Sequence, residues 1–110
     1  MIYQTSMIKK KINIGIIGLG HIGGRLYTEI ISKKSDIELK TSSVVNIVAI
    51  SAKNPNKKRS FKFNKKIFYK NPLLIANNPN IDIVFELVGL SDGISKKVIE
   101  VALKNKKHVI

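Results

Sequence analysis

The chain has 110 residues, of which 44% are hydrophobic and 25% charged, so it is long enough for one modest domain and too apolar to be disordered throughout. The absence of cysteine excludes disulfides, thiolate catalysis and cysteine-based zinc sites, and it is compatible with a reducing cytoplasm. The net charge of +13, from 20 basic and 7 acidic residues, favours phosphate-bearing partners, which include nucleic acids, anionic membranes and phosphorylated cofactors.

Residues 1–11 are polar and basic without periodicity, which predicts a flexible leader, with Met7 as an alternative start. The basic residues that end this leader, followed by an apolar run, have the outline of a secretory signal, but the run contains several glycines and lacks a small-residue cleavage site. No apolar stretch approaches the ~18 residues that a membrane span needs. We therefore expect a cytoplasmic protein without a membrane partner.

The first regular elements follow the leader. Residues 12–18 form an apolar run rich in β-branched residues, which predicts a strand buried on both faces of a parallel sheet. Ile22, Leu26 and Ile30 then recur at helical spacing, which predicts a helix that ends near Ser32.

The middle of the chain combines polar connections with a second strand. We expect residues 33–43 to form a polar connection and residues 44–51 to form the strand. Residues 52–66 contain proline, several asparagines and many basic residues, which predicts a long exposed loop. Residues 67–69 are a candidate short strand.

A short helix follows, because Asn71 offers a side-chain cap and Pro72 suits the first helical position. We expect this helix to continue through Ala76 and a turn to occupy residues 77–80.

The last third of the chain continues the alternation of strands and helices. Residues 83–88 predict a third strand, and residues 108–110 open a fourth. Between them, Ser91 or Asp92 can cap a helix with one apolar face, formed by Ile94, Val98, Val101 and Ala102. Alternating strands and helices predict an α/β fold: a Rossmann-type, doubly wound parallel sheet that is incomplete at the C-terminus. We assign residues 12–110 to one dinucleotide-binding domain.

The glycine motif G-x-G-x-x-G lies between the first strand and the first helix. Gly18 permits the tight turn, Gly20 lets the backbone approach a pyrophosphate, and Gly23 lets helix and strand approach closely. The helix N-terminus offers free amides and a positive dipole end to that anion. We therefore predict cofactor contacts from this turn, including His21 and Ile22, with His21 acting through its backbone rather than as a catalytic base.

The end of the second strand indicates which dinucleotide is bound. An NAD site places an acid about 20 residues after the glycines, to bind the ribose hydroxyls. Here the strand is followed by Lys53 and, further on, by the basic residues 57–59. A basic residue at this position suits the 2′-phosphate of NADP, so we predict NADP as the preferred cofactor and NAD as the weaker one.

Three segments together resemble the nucleotide domain of homoserine dehydrogenases. They are residues 14–23 (IGIIGLGHIG), 78–89 (NPNIDIVFELVG) and 102–109 (ALKNKKHV), in the family's order and spacing. The second segment is the most specific of the three.

The resemblance implies an enzyme that interconverts L-homoserine and L-aspartate 4-semialdehyde with NAD or NADP, in threonine and methionine biosynthesis. It implies a cofactor role for residues 18–23, a phosphate contact at Lys53, a cofactor-facing loop at Val88 and Gly89, and a structural role for Glu86, which would accept hydrogen bonds from nearby backbone. The family's catalytic lysine, substrate domain and oligomer contacts lie beyond residue 110. We therefore predict no catalytic and no metal-binding residue here, and no activity for this chain alone.

The sequence departs from the family pattern at three positions. His21 stands where the family has a hydroxyl residue, and Leu90 and Lys106 stand where it has glycine. The last departure requires Asn105 or Lys106 to adopt the left-handed conformation that ends a helix.

Other functions remain open at this stage. The same nucleotide half occurs in the dihydrodipicolinate reductase and glucose-fructose oxidoreductase groups, and a truncated, non-catalytic nucleotide-binding module has the same motif. A nucleic-acid-binding protein is supported by charge alone. The lysines are spread along the chain with few aromatic residues between them, which indicates solvated surface and disfavours that partner.

Overall fold

Four parallel strands form the central sheet of the computed structural model, which describes residues 10–88 and 93–110. In chain order they are β1 (Lys10–Ile17), β2 (Ser43–Ser51), β3 (Ile83–Glu86) and β4 (His108–Val109). Their spatial order is β2-β1-β3-β4. These four predicted strands are confirmed, but β1 starts at Lys10, so two residues expected in the leader belong to the sheet, and β3 ends at Glu86 rather than at residue 88. The rest of that leader lies outside the described residues.

Four helices connect these strands: α1 (His21–Ser32), α2 (Lys34–Thr41), α3 (Pro72–Ala76) and α4 (Gly93–Lys104). Neighbouring residues of a strand point to opposite faces of the sheet, so β1 and β2 supply two separate apolar clusters. One cluster joins the sheet to α1 and includes Ile14, Ile16, Tyr27, Ile30 and Ile50. The other joins the opposite face to α3 and α4 and includes Ile17, Ala49, Ile75, Val98 and Ala102. Helices therefore cover both faces, which confirms the doubly wound α/β fold.

Successive strands are added to the sheet on opposite sides of β1. The connection through α1 and α2 leads from β1 to β2 on one side, whereas the connection through α3 leads back across to β3 on the other side of β1. In open α/β sheets, ligands bind at such a switch point, in the crevice beyond the carboxyl ends of the strands. In this chain, the glycine turn follows β1 at that edge.

The ends of two helices follow the sequence signals. The Asn71 side chain accepts a hydrogen bond from the Leu73 amide at 3.0 Å, so the predicted cap of α3 is confirmed. Lys106 has a φ of 60°, which confirms the left-handed residue expected after α4. The two candidate caps of α4, Ser91 and Asp92, lie outside the described residues.

Helix α2 was not predicted, because residues 33–43 were expected to form a polar connection. That expectation is wrong for residues 34–41. The helix has no buried residue, so it lacks the apolar periodicity that identifies a helix in sequence. Its signal is charge spacing: Lys34 and Glu38 pair at 2.7 Å, and Asp36 and Lys40 pair at 3.3 Å, both four residues apart. Ser42, with a φ of 52°, then ends the helix before β2.

Residues 52–66 are a loop for most of their length, as expected, but the loop is not simply exposed. Phe61 and Phe63 are half-buried against the cluster that joins α1 to the sheet. The candidate strand at residues 67–69 is also corrected: Lys65–Ile67 form a 3₁₀ turn, and Phe68 makes a single parallel bridge to Ile50.

Candidate functional site

Gly18 brings the ends of β1 and β3 together. Its φ of 99° lies in the region that favours glycine. A Cβ on Gly18 would lie 3.0 Å from the backbone carbonyl group of Leu87 and from the amide nitrogen of Val88. The turn after β1 therefore rests directly on the backbone after β3, at the switch point of the sheet.

The other two glycines of the motif face different surroundings. A Cβ on Gly23 would overlap the carbonyl oxygen of Gly18, so the first turn of α1 approaches the strand end as closely as glycine allows. A Cβ on Gly20 would have no atom within 4 Å. The backbone at Gly20 is thus open to an incoming group.

The first turn of α1 presents backbone donors beside this open position. The Gly24 amide donates to the Gly20 carbonyl at 2.8 Å and closes the first helical turn. The amides of His21, Ile22 and Gly23 precede that bond, so they have no partner within the helix. His21 and Ile22 are exposed, Ile22 by 73%. These donors and the positive end of the helix dipole form an arrangement that fits the pyrophosphate of a dinucleotide.

A groove of about 720 Å³ runs from the glycine turn between α1 and the segment at residues 57–61. Its walls come from the turn itself, from α1, and from the segment at residues 57–61. The charged side chains that line it are Arg25, Glu29, Lys57, Lys58 and Arg59, beside the polar His21 and Thr28.

Glu29, the one carboxylate among the described residues that line the groove, is already paired. It forms a salt bridge with Lys33 at 2.9 Å, and the hydrogen bond and charge of Lys33 hold the pKa of the Glu29 carboxyl below its usual range. The remaining charges that line the groove are cationic, so it favours an anionic ligand.

The wall opposite α1 is fixed by packing. The Phe61 ring fills the space where Gly24 lacks a side chain, and it lies 6.1 Å from the Tyr27 ring. The Asn64 amide donates to the Tyr27 hydroxyl at 3.2 Å. Because these contacts join the segment after β2 to α1, the groove between them has a defined width.

Val88 and Glu86 lie at the end of β3, where the sequence places a cofactor-facing loop. The Val88 amide donates to the Glu86 carboxylate at 3.3 Å, which confirms the structural role expected for Glu86. Val88 is 39% exposed and borders Gly18 through its backbone. Gly89 lies outside the described residues.

The structure thus brings Gly18, Gly20, His21, Ile22, Gly23 and Val88 to one edge of the sheet. Lys53 is exposed just beyond β2, and it is not among the described residues that line the groove.

From the sequence, Lys53 was assigned to the site, whereas Arg25 was not and Arg59 was noted only as part of a basic run. For Arg59 the sequence signal was the basic run at residues 57–59, with Phe61 and Phe63 two and four residues after it, whereas Arg25 stands alone in the sequence. Within residues 10–88 and 93–110, no three His, Asp or Glu side chains group in a way that could hold a metal ion. No helix in that part of the chain is long and apolar enough to cross a membrane.

Comparison with known proteins supports the fold and identifies a family. Residues 12–110 match the model of an oxidoreductase family with an NAD-binding Rossmann fold. The homoserine dehydrogenase of Methylobacillus glycogenes is 29% identical over 101 residues, which are 92% of this chain and 24% of that enzyme.

Two solved structures are similar in backbone as well as sequence. The Staphylococcus aureus homoserine dehydrogenase superimposes with a TM-score of 0.83 and 28% identity, over 93% of this chain and 26% of that one. The homoserine dehydrogenase of Thiobacillus denitrificans gives a TM-score of 0.78 and 28% identity, over 92% of this chain and 23% of that one. The chain therefore spans about a quarter of the length of these relatives.

Proposed function

Since this chain belongs to the oxidoreductase family with an NAD-binding Rossmann fold, we propose that it is the cofactor-binding part of a homoserine dehydrogenase. A nicotinamide dinucleotide is its cofactor. In the proposed reaction, a hydride moves from C4 of L-homoserine to NAD(P)⁺, a proton is released, and L-aspartate 4-semialdehyde and NAD(P)H form. The observation that carries the proposal is the combined sequence and backbone similarity to homoserine dehydrogenases over more than nine tenths of the chain.

The residues at the switch point would hold the dinucleotide in defined ways. The amides of His21, Ile22 and Gly23 would donate to the pyrophosphate, and Gly20 would let it approach the backbone. Gly18 would set the turn against Val88, which together with Gly89 would border the nicotinamide half. The bound dinucleotide supplies the hydride acceptor, and this part of the chain binds and orients it.

Residues 12–110 are proposed to form one binding domain without turnover of its own. The chain spans about a quarter of the relatives' length, and the groups that handle the substrate are proposed to lie outside residues 12–110. We expect the 110-residue chain to bind dinucleotide and to give no homoserine-dependent NADPH formation. Turnover by the chain alone would contradict this division of roles.

Cofactor preference is proposed to favour NADP. Lys53 follows β2 at the position where an NAD site would carry an acid, and a carboxylate there would repel the 2′-phosphate. A charge-assisted contact from Lys53 would contribute about 1.5 to 3 kcal/mol, roughly tenfold to a hundredfold in affinity.

Titration of NADP and NAD into the purified chain tests the preference. We expect NADP to bind more tightly and Lys53→Ala to reduce the NADP to NAD affinity ratio. Lys104→Ala removes the same charge from α4, on the opposite face of the sheet from α1, and serves as the matched control. Equal affinities of the wild-type chain for NADP and NAD, or an unchanged affinity ratio in Lys53→Ala, would mean that Lys53 is a surface residue without a role in cofactor binding.

A chimera tests the assigned reaction. Residues 12–110 would replace the matching segment of the Staphylococcus aureus homoserine dehydrogenase, and we expect homoserine-dependent reduction of NADP to be retained. A folded chimera that binds NADPH but does not oxidise homoserine would favour a different reductase.

A further inference from the structure

Arg59 is held in a fixed position beside the glycine turn. Its Nε donates to the Leu19 carbonyl at 3.4 Å, and its Nη1 donates to the Lys57 carbonyl at 3.2 Å. The guanidinium carbon lies 5.5 Å from the centre of the Phe63 ring, within the range of a cation–π contact. The side chain is half-buried, unlike the exposed Lys53.

A turn in the backbone brings Arg59 back toward the sheet. The Asn56 amide donates to the Asn54 side chain at 2.9 Å, and the Lys57 amide donates to the Asn54 carbonyl at 3.3 Å. The chain after β2 therefore folds back on itself, and Arg59 reaches the carbonyl of Leu19 between the first two glycines of the motif.

The contacts of Arg59 leave it able to bind a ligand. Arginine has five N–H donors in a planar fork. The bonds within the described part of the chain involve Nε and Nη1, and the Phe63 ring lies beside the guanidinium. Arg59 lines the groove together with Gly20 and His21, so a ligand that starts at the first turn of α1 meets this side chain as it enters the groove.

We propose that Arg59 is the main determinant of specificity for the phosphorylated dinucleotide, and that its guanidinium binds the 2′-phosphate on the adenosine ribose. This inference rests on the proposed cofactor-binding function. A guanidinium matches a phosphate with two parallel hydrogen bonds, whereas an ammonium acts as a mobile point charge. Because Arg59 is already ordered by Leu19 and Phe63, binding requires little further ordering of its side chain. Lys53 then has the smaller, accessory role.

The test compares two nucleotides that differ by one phosphate. Adenosine 2′,5′-bisphosphate and adenosine 5′-monophosphate are titrated into the wild-type chain and into Arg59→Ala, Arg59→Lys and Lys53→Ala, with Lys104→Ala as the charge control. We expect Arg59→Ala to lower the affinity for the bisphosphate by about a hundredfold and Lys53→Ala by about tenfold. Adenosine 5′-monophosphate should change by less than about threefold in each variant.

Arg59→Lys keeps the charge and the aliphatic stem, so it retains most of the packing against Phe63. It should lower affinity for the bisphosphate by an intermediate factor, because the paired hydrogen bonds are lost. An equal loss of affinity for both nucleotides in Arg59→Ala and Arg59→Lys would overturn the inference and leave Arg59 a structural tie to Leu19. An effect of Lys53→Ala larger than that of Arg59→Ala would also overturn it.

The two proposals fail in different ways. If NADP and NAD both bind the wild-type chain but the Arg59 variants keep the wild-type preference, the role of Arg59 is wrong and the binding function stands. If neither dinucleotide binds the folded wild-type chain, the proposed function is wrong, and the role of Arg59 is wrong with it.

Discussion

Gly23 and Gly20 differ in the space available for a methyl group. We therefore expect substitution of Gly23 to affect stability and substitution of Gly20 to affect cofactor binding. At Gly23 a Cβ would overlap the Gly18 carbonyl oxygen, whereas at Gly20 it would meet no atom within 4 Å. We expect Gly23→Ala to lower the free energy of unfolding by about 1 to 3 kcal/mol, because the helix must move away from the strand end. Gly20→Ala should change it by less than about 0.5 kcal/mol yet weaken NADP binding, since its methyl group stands where the pyrophosphate approaches.

Urea unfolding and NADPH titration of both variants test this pair. A stable Gly23→Ala variant, or Gly20→Ala with wild-type affinity, would contradict the assigned roles. The motif alone predicted which residues matter here. It also predicted separate roles for Gly20 and Gly23, but it could not predict that Gly18 lies against the backbone after β3.

Lys107 is a buried lysine that the sequence did not single out, since it stands in a run of basic residues. It is 6% exposed, and its ammonium donates to the carbonyls of Asn78 and, at 2.8 Å, Ile81. Burial lowers the pKa of Lys107 below its ordinary 10.5, and the charge of Asp82 partly opposes this. Lys107→Met leaves both carbonyls without this donor, so we expect a loss of about 1 to 3 kcal/mol in the free energy of unfolding.

The pH dependence of that loss follows from the direction of the pKa shift. Between the lowered folded pKa and the ordinary value, the unfolded chain binds the extra proton, so the contribution of Lys107 to stability rises with pH and falls as pH drops through the folded pKa. The difference in free energy of unfolding between wild type and Lys107→Met should widen from neutral pH to about pH 10. If this difference in free energy stayed constant or became smaller, the lowered pKa of Lys107 would be contradicted.

At the scale of single elements, the sequence predicted best where burial is periodic or where a cap is present. The strands β1 and β2 and the helices α1 and α4 each bury a continuous run or one face, and α3 carries its own cap. Helix α2 has neither signal, since it buries no residue. The packing of residues 57–64 on α1 was equally invisible, because it depends on the gap at Gly24 meeting Phe61 from a distant part of the chain.

Glu38 is one of the residues that attach α2 to the sheet. Its carboxylate accepts from the Val45 amide at 3.0 Å and pairs with Lys34, whose ammonium also donates to the Val45 carbonyl at 2.7 Å. We expect Glu38→Ala to lower the free energy of unfolding by about 1 to 3 kcal/mol, because the Val45 amide loses its acceptor and the half-buried Lys34 ammonium loses its carboxylate.

The matched control is Asp36→Ala, on the same helix. Asp36 pairs with Lys40 at 3.3 Å, but both side chains are mainly exposed, so the loss should stay below about 0.5 kcal/mol. Denaturant unfolding of the two variants decides the question. Equal losses would show that α2 is attached by something other than Glu38.

At the scale of the whole molecule, the alternation of strands and helices was predicted from the sequence except for α2, and so was the position of the glycine turn after the first strand. The switch point at β1 follows from right-handed crossovers together with the glycine turn. The distribution of charge over the folded surface could not be predicted from the sequence. Lysines spread evenly along the chain gave no reason to expect that Arg25, Lys57, Lys58 and Arg59 would line one groove, because the fold brings residue 25 and residues 57–59 together.

The net charge of +13 predicts opposite effects of salt on folding and on binding. Raising the salt concentration from about 0.1 M to about 1 M shortens the Debye length from about 10 Å to about 3 Å. Repulsion among the excess cations is then screened, so the midpoint of thermal unfolding of the free chain should rise. Attraction between the cationic groove and a phosphate is screened as well, so NADP affinity should fall, and it should fall more than NAD affinity because NADP carries the additional phosphate that Arg59 is proposed to bind. Melting curves and dinucleotide titrations over the same sodium chloride series measure both effects. A parallel series with an uncharged osmolyte distinguishes charge screening from general stabilisation of the fold. A parallel decrease for NADP and NAD would contradict the prediction, because the additional phosphate would then meet no concentration of positive charge.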